Sequence, residues 1–133
     1  MHALRLIGSG LFDECPKLQI VLGHLGEGIP VYIWRIDGRN GWMKEPHHYA
    51  AKHGVGHYFR RHFHLTTSGN FSTSALANSV SEMGVDRVMF SVDWPFESVE
   101  EGCAWFDKAQ MGEADRQKIG RDNAIKLFKL KLG

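Results

Sequence analysis

Cysteine is scarce. Cys15 and Cys103 are the only two in 133 residues, too few for a disulfide framework, and they point to a reducing compartment. Long apolar runs are missing as well, since no stretch approaches the roughly 18 residues that a membrane-spanning helix needs. The opening Met1-His2-Ala3-Leu4-Arg5 has neither the charged start nor the long apolar stretch of a signal peptide. Excess charge of either sign is absent too: 16 Lys and Arg stand against 15 Asp and Glu, a net charge of +1. That balance supplies no electrostatic pull toward nucleic acid or an anionic membrane. There is no low-complexity tract and no obvious repeat. These absences together predict a soluble cytoplasmic protein with neither nucleic acid nor membrane as partner.

The chain itself has 43% apolar and 23% charged residues, ordinary for a globular protein long enough for one sizeable core. Four Trp, eight Phe and eight His suit aromatic-lined pockets. Leu4, Ile7 and Leu11 recur at helical spacing and predict a helix over 2–14, weakened by Gly8 and Gly10 and ended by Pro16. Leu18-Gln19-Ile20-Val21-Leu22 reads as a buried parallel strand. Pro30 suits the first turn of a helix over 30–40. From Asn40 to Arg61 the periodicity is lost in a long, His-rich connection of a length usually tied to function or a partner. A strand over 63–68, a helix over 72–83 capped by Gly84, and a strand over 86–91 follow. Next comes a helix from Glu97 to about Ala109, with Val99, Cys103 and Phe106 inward. The chain closes in helix from Glu113 to Leu132, bent near Gly120, with Ile125, Leu127, Phe128 and Leu132 as its apolar positions. This alternation predicts an α/β fold with parallel strands and right-handed crossovers.

Two strands end in chemistry. Gly23-His24-Leu25-Gly26-Glu27-Gly28 follows the first, with an imidazole and a carboxylate three positions apart among glycines that let the backbone turn. Phe90-Ser91-Val92-Asp93-Trp94-Pro95 ends the third in an acid. Functional groups of parallel barrels collect at the C-terminal ends of strands, so the two loops are read as one site. The plainer readings are a strand-capping His with a solvated Glu, and Asp93 as an ordinary acid in a turn with Pro95. Arg35 can likewise be a surface ion pair with Asp37 or Glu27. His62-Phe63-His64 has His-x-His spacing but adjoins Arg60 and Arg61 and is taken as structural. His47, His48, His53 and His57 in the long connection suit adventitious metal binding, and Trp42, Glu45 and Pro46 a subunit contact.

Several stretches, in order, carry a resemblance. They are Gly8-Ser9-Gly10 through Cys15-Pro16, Leu22-Gly23-His24-Leu25-Gly26-Glu27-Gly28, Trp34-Arg35-Ile36-Asp37 and Phe63-His64-Leu65-Thr66-Thr67-Ser68-Gly69. Phe90-Ser91-Val92-Asp93-Trp94-Pro95-Phe96-Glu97 and Ile119-Gly120-Arg121-Asp122-Asn123-Ala124-Ile125-Lys126-Leu127-Phe128 continue the set. Nearly the whole chain thereby resembles the amidohydrolase-related decarboxylases, nearest to those of 2,6- and 2,3-dihydroxybenzoate. The resemblance implies a partial metal-dependent-hydrolase-type (β/α)8 barrel, about strands six to eight with their helices. Residues 1–133 would form a single, incomplete C-terminal part of such a domain. It implies non-oxidative, reversible decarboxylation of a hydroxybenzoate, with CO2 released and one divalent metal, zinc or manganese, in the intact enzyme. The first metal ligands of the family lie upstream of this segment, so the chain alone would hold metal weakly or not at all. By position, Asp93 matches a metal-site aspartate that also protonates the ring carbon, and His24 and Glu27 match a pair handling protons near the substrate. Arg35 matches an arginine of the substrate site or a subunit contact, and Phe96 an aromatic of the pocket wall. The resemblance also implies a homodimer or homotetramer. The rivals are a lactone or amide hydrolase on the same barrel, and an inactive truncated fragment.

Overall fold

The structure, a computed structural model, describes residues 2–40 and 49–131. In chain order the elements are α1 (His2–Gly8), α2 (Leu11–Glu14), β1 (Ile20–Leu22), α3 (Ile29–Asn40), α4 (Val55–His62) and β2 (Phe63–Thr66). They continue with α5 (Thr73–Met83), β3 (Val88–Met89), α6 (Val99–Lys108), α7 (Glu113–Gln117) and α8 (Asn123–Phe128). The strands form one sheet in the order β1-β2-β3. β2 and β3 run parallel, Leu65 opposite Val88 and Thr66 opposite Met89. Among the described residues no helix is long and apolar enough to cross a membrane. The chain divides into two compact units, residues 1–20 with 31–63, and residues 21–30 with 64–133.

In the first unit the helix expected over 2–14 is two helices. Gly10 stands between them at φ 83, a left-handed conformation that glycine adopts without the penalty a side chain brings. The connection expected to lack structure contains α4, whose buried Val55, Tyr58, Phe59 and His62 recur at i, i+3, i+4 and i+7. Gly54, Gly56 and the histidines hid that period. Gly54 has no side chain with which to cap α4, and Asp37 supplies the cap from α3. Its two carboxylate oxygens accept from the Gly56 N–H at 3.0 and 3.1 Å. A Cβ at position 56 would sit 2.5 Å from Asp37 Oδ2, so only glycine admits so close an approach. Asp37 is thus engaged with α4 rather than with Arg35. His62 stacks on Phe12 with centroids 4.5 Å apart, and its Nδ1 lies 2.9 Å from the Leu18 carbonyl, which makes it a satisfied structural histidine. Trp42, Glu45, Pro46, His47 and His48 lie outside the described residues.

Tyr58 is the polar centre of this unit. It is 2% exposed, its hydroxyl donates to Asp13 Oδ1 at 2.7 Å, and it accepts from the N–H groups of Lys52 and His53 at 3.0 and 3.1 Å. The hydrogen bond from Tyr58 holds the Asp13 carboxyl below its ordinary range. Burial, followed by the neighbouring Tyr58, pushes the Tyr49 hydroxyl up to about 12, and that hydroxyl donates to the His53 carbonyl at 2.6 Å. Removing the hydroxyl in Tyr58→Phe takes the partner from Asp13 Oδ1 and the acceptor from His53 N–H, while Lys52 N–H keeps Asp13 Oδ2 at 3.0 Å. We expect a loss of about 1–3 kcal/mol, read as a lowered urea midpoint with an unchanged slope.

In the second unit α5 and α6 each begin with a serine cap, Ser72 accepting from Ala75 N–H at 3.3 Å and Ser98 from Glu101 N–H at 3.2 Å. Leu25, Leu76, Val88, Phe106 and Ile119 form the buried cluster. Val99 and Cys103, expected inward on α6, are exposed, and Gly102 and Phe106 are the buried pair. A Cβ at Gly102 would meet Phe71 at 2.9 Å, so that position packs through its backbone. The bend expected near Gly120 is a π-helical segment over Lys118–Asp122. Downstream of it the buried position is Asn123, whose amide donates to Val85 O at 2.8 Å and Val88 O at 2.7 Å, while Phe128 is exposed. Gly84 ends α5 at φ 81, as expected of a C-terminal glycine.

His64 lies on β2 with Nε2 3.3 Å from Arg87 Nη1. Arginine only donates, so Nε2 accepts and Nδ1 carries the proton. Burial, then Arg87 and Lys126, lower the pKa of this imidazole from its ordinary 6.5. The unfolded chain therefore binds the proton more readily. The associated stability is complete above pH 6.5 and is lost as pH falls below that value. Between pH 6.5 and 5 the melting temperature should decline more steeply in the wild type than in His64→Leu.

Candidate functional site

Beyond β1 the backbone enters an unusual conformation. His24, Leu25, Gly26, Glu27 and Gly28 have φ values of 51, 53, 82, 53 and 77°, five left-handed residues in succession. Each non-glycine there costs about 1–2 kcal/mol against a right-handed conformation. Tertiary contacts hold the turn. Leu25 is 2% exposed in the apolar cluster, and burial of one such side chain returns about 1.5–3 kcal/mol. Ser79 Oγ on α5 donates to the Leu25 carbonyl at 3.3 Å. Gly26 and Glu27 N–H close back on Gly23 O and His24 O at 2.9 and 3.2 Å. The result places His24 Nδ1 3.0 Å from Glu27 Oε1.

The second loop leaves β3. Regular pairing ends at Met89, and the chain is then held piecewise: Phe90 N–H donates to Ile119 O at 2.8 Å, and Gly69 N–H to Val92 O at 3.2 Å. Asp93 follows at φ 85, with Phe96 and Glu97 N–H donating to its carbonyl at 2.9 and 3.2 Å. Its Oδ2 lies 3.4 Å from His24 Nε2. The imidazole is thus bracketed, Glu27 at one ring nitrogen and Asp93 at the other. The side chains of His24, Glu27 and Asp93 are 44%, 62% and 36% exposed, so these contacts contribute little stability. Each ring nitrogen of the imidazole thus faces one carboxylate oxygen.

Gly69 is part of this geometry, although in sequence it reads only as the end of a strand. At φ 63 it leaves the space where a Cβ would lie 2.9 Å from His24 Cδ2 and 3.1 Å from Nε2. Phe96 and Trp94 are 84% and 74% exposed beside Asp93, apolar surface next to an acid. Arg35 is exposed on α3 in the first unit, beside Trp34 and Arg39 in an open groove of about 280 Å³. His53 and His57 stack with centroids 4.2 Å apart, and no group of three or more His, Cys, Asp or Glu suited to a metal ion occurs among the described residues. His24 and Asp93 therefore fall short of the three or so protein ligands that a metal site needs.

The whole of this geometry lies in a chain that matches the amidohydrolase family over residues 1–130. The chain belongs to that family. It is 55% identical over 130 residues to the gamma-resorcylate decarboxylase of Rhizobium sp. (strain MTP-10005), covering 98% of this chain and 40% of that one. The solved structure of a 2,6-dihydroxybenzoate decarboxylase complexed with 2,6-dihydroxybenzoate superposes with a TM-score of 0.91 at 56% identity, over 97% of this chain and 40% of that one. A dihydroxybenzoic acid decarboxylase from Polaromonas sp. JS666, with bound manganese and the inhibitor 2-nitroresorcinol, gives a TM-score of 0.92 at 53% identity, covering 99% and 40%. The fold is accordingly α/β, part of the family's (β/α)8 barrel, and the chain spans about 40% of the length of the curated relatives it matches. Within this family segment, Gly69→Ala should displace the His24 ring rather than unfold the chain, because the clash is with the end of a rotatable side chain. We expect loss of the cross-relaxation between the His24 ring and residue 69 in NMR spectra, with far-ultraviolet circular dichroism unchanged.

Proposed function

We propose that this chain is the C-terminal part of a carboxy-lyase that decarboxylates a hydroxybenzoate without oxidation, reversibly, releasing CO2. The carrying observation is the His24 imidazole held between Glu27 at 3.0 Å and Asp93 at 3.4 Å, in a chain 55% identical to a gamma-resorcylate decarboxylase. Asp93 donates a proton to the ring carbon that bears the carboxylate. The C–C bond then breaks, its electron pair returns to the ring, and CO2 leaves. His24, open to solvent, takes up a proton from water and returns it to Asp93 through Nε2, while Glu27 keeps the imidazole oriented through Nδ1. Phe96 lines the pocket, and Arg35 belongs to the substrate site or to a subunit contact of a homodimer or homotetramer.

A divalent ion, manganese or zinc, belongs to this reading, with Asp93 as one ligand and the others outside these 133 residues. Such an ion supplies Lewis acidity toward the phenolic and carboxylate oxygens. By itself the 133-residue chain should retain no stoichiometric manganese or zinc after dialysis and should not turn over 2,6-dihydroxybenzoate. Joined to the N-terminal strands of a homologous decarboxylase it should do both. In that protein Asp93→Asn should abolish turnover, His24→Ala should cost on the order of 10²-fold, and His64→Ala should change the rate little. Near-full activity in Asp93→Asn would overturn the assigned site. The family's description as amidohydrolase favours one rival, hydrolysis of a lactone or amide, and turnover of such substrates but not of hydroxybenzoates would establish it. Activity toward neither would mark an inactive fragment.

A further inference from the structure

We infer that Thr67 is a positioning residue for the proton-transfer pair, its hydroxyl clamping the backbone of Ser91 and so fixing where Asp93 stands against His24. The inference rests on the reading above for its catalytic consequence but not for its geometry. β3 is only Val88–Met89, and its last ladder bond is Thr67 N–H to Met89 O at 3.1 Å. Past that point Asp93 must still be carried at φ 85, a conformation that a residue with a side chain leaves readily unless held. One side chain holds both polar backbone groups of Ser91. Thr67 Oγ1 accepts from Ser91 N–H at 2.9 Å and donates to Ser91 O at 2.7 Å. A hydroxyl has one proton and two lone pairs, so it can serve both polar groups of a single residue where a ladder would need two partners. Thr67 is 0% exposed, so its hydroxyl is turned to Ser91 rather than to solvent.

The same segment reaches the other partner. Gly69 N–H binds Val92 O at 3.2 Å, and the absent side chain of Gly69 leaves the space that the His24 ring occupies. Between them Ser68 Oγ donates to Ser91 Oγ at 3.0 Å. Residues 67–69 therefore determine both halves of the 3.4 Å His24–Asp93 contact, the acid through Ser91 and Val92, the imidazole through the space at Gly69. Were Thr67 only a piece of core, valine of the same outline would serve as well. As a clamp it requires the hydroxyl, and serine should suffice.

The test compares the wild type, Thr67→Val and Thr67→Ser, with Asp93→Asn as reference, in the protein restored with N-terminal strands. At fixed pH the His24 Nε2 resonance should move in Thr67→Val toward its position in Asp93→Asn and stay at the wild-type position in Thr67→Ser. On 2,6-dihydroxybenzoate, Thr67→Val should lower kcat by about tenfold or more with KM within about twofold, since the acid is misplaced and the substrate contacts remain, and serine should restore most of it. Wild-type kcat and an unmoved His24 resonance in Thr67→Val would overturn the clamp. If the wild type turns over no hydroxybenzoate, the proposed function fails, and the His24 resonance alone decides the positioning role. If Thr67→Val does not fold, amide exchange in the wild type decides it. Ser91 N–H exchanging as slowly as the ladder amide of Thr67 supports the clamp, and exchange at the rate of an open loop refutes it.

Discussion

Burial of Leu25 is the interaction on which the candidate site depends. A left-handed run from His24 to Gly28 does not persist by local preference, because three of its five residues carry side chains that oppose it. It persists because Leu25 is inserted among Leu76, Val88, Phe106 and Ile119, and because Ser79 satisfies the Leu25 carbonyl from below. With the middle of the turn anchored, its two polar residues are turned toward each other, and the imidazole meets the carboxylate three residues on. Local strain is thus maintained by the core, a frequent arrangement where side chains must be held at an angle the chain would not choose.

Asp93 is held by a different device with the same logic. Its strand is too short to deliver it by ladder bonding, so the last residues before it are bound one by one, by Thr67, Gly69 and Ile119. The acid reaches His24 from a separate loop, and the imidazole is gripped on both nitrogens by carboxylates whose backbones are fixed independently. Backbone and hydroxyl bonds are dense around residues 67–69 and 90–93, and they fix the position from which Asp93 meets the imidazole. Elsewhere stability is built from ordinary parts: serine caps on α5 and α6, Asp37 capping α4, and the hydroxyl of Tyr58 gathering Asp13 with two backbone donors.

Much of this architecture was legible. The apolar period over 30–40 and 72–83 and the terminal glycine at 84 gave α3 and α5 almost to the residue, because amphipathic period and capping chemistry are local properties. Where an element's signal was mixed with another demand, reading failed. α4 was hidden by glycines placed to admit the Asp37 carboxylate, and the first helix was drawn as continuous across Gly10, whose left-handed φ interrupts it. On α6 the inner face is formed by Gly102 and Phe106, not the more apolar Val99 and Cys103, since the ring of Phe71 needs a position without a side chain.

For the candidate site, the sequence by itself singled out three side chains that the fold brings together: His24 and Glu27 among glycines, and Asp93 at the end of an apolar stretch, were picked out because their flanks mark strand ends. Only the tertiary structure decided that Asp93 faces Nε2 of His24 while Glu27 faces Nδ1, and that Thr67 and Gly69, unremarkable as letters, set that contact. The physical reason is range. Residue type and spacing report interactions made within a few positions along the chain, whereas the angle of an imidazole between two carboxylates depends on groups dozens of residues apart, brought together by the packing of Leu25 and the pairing of β2 with β3.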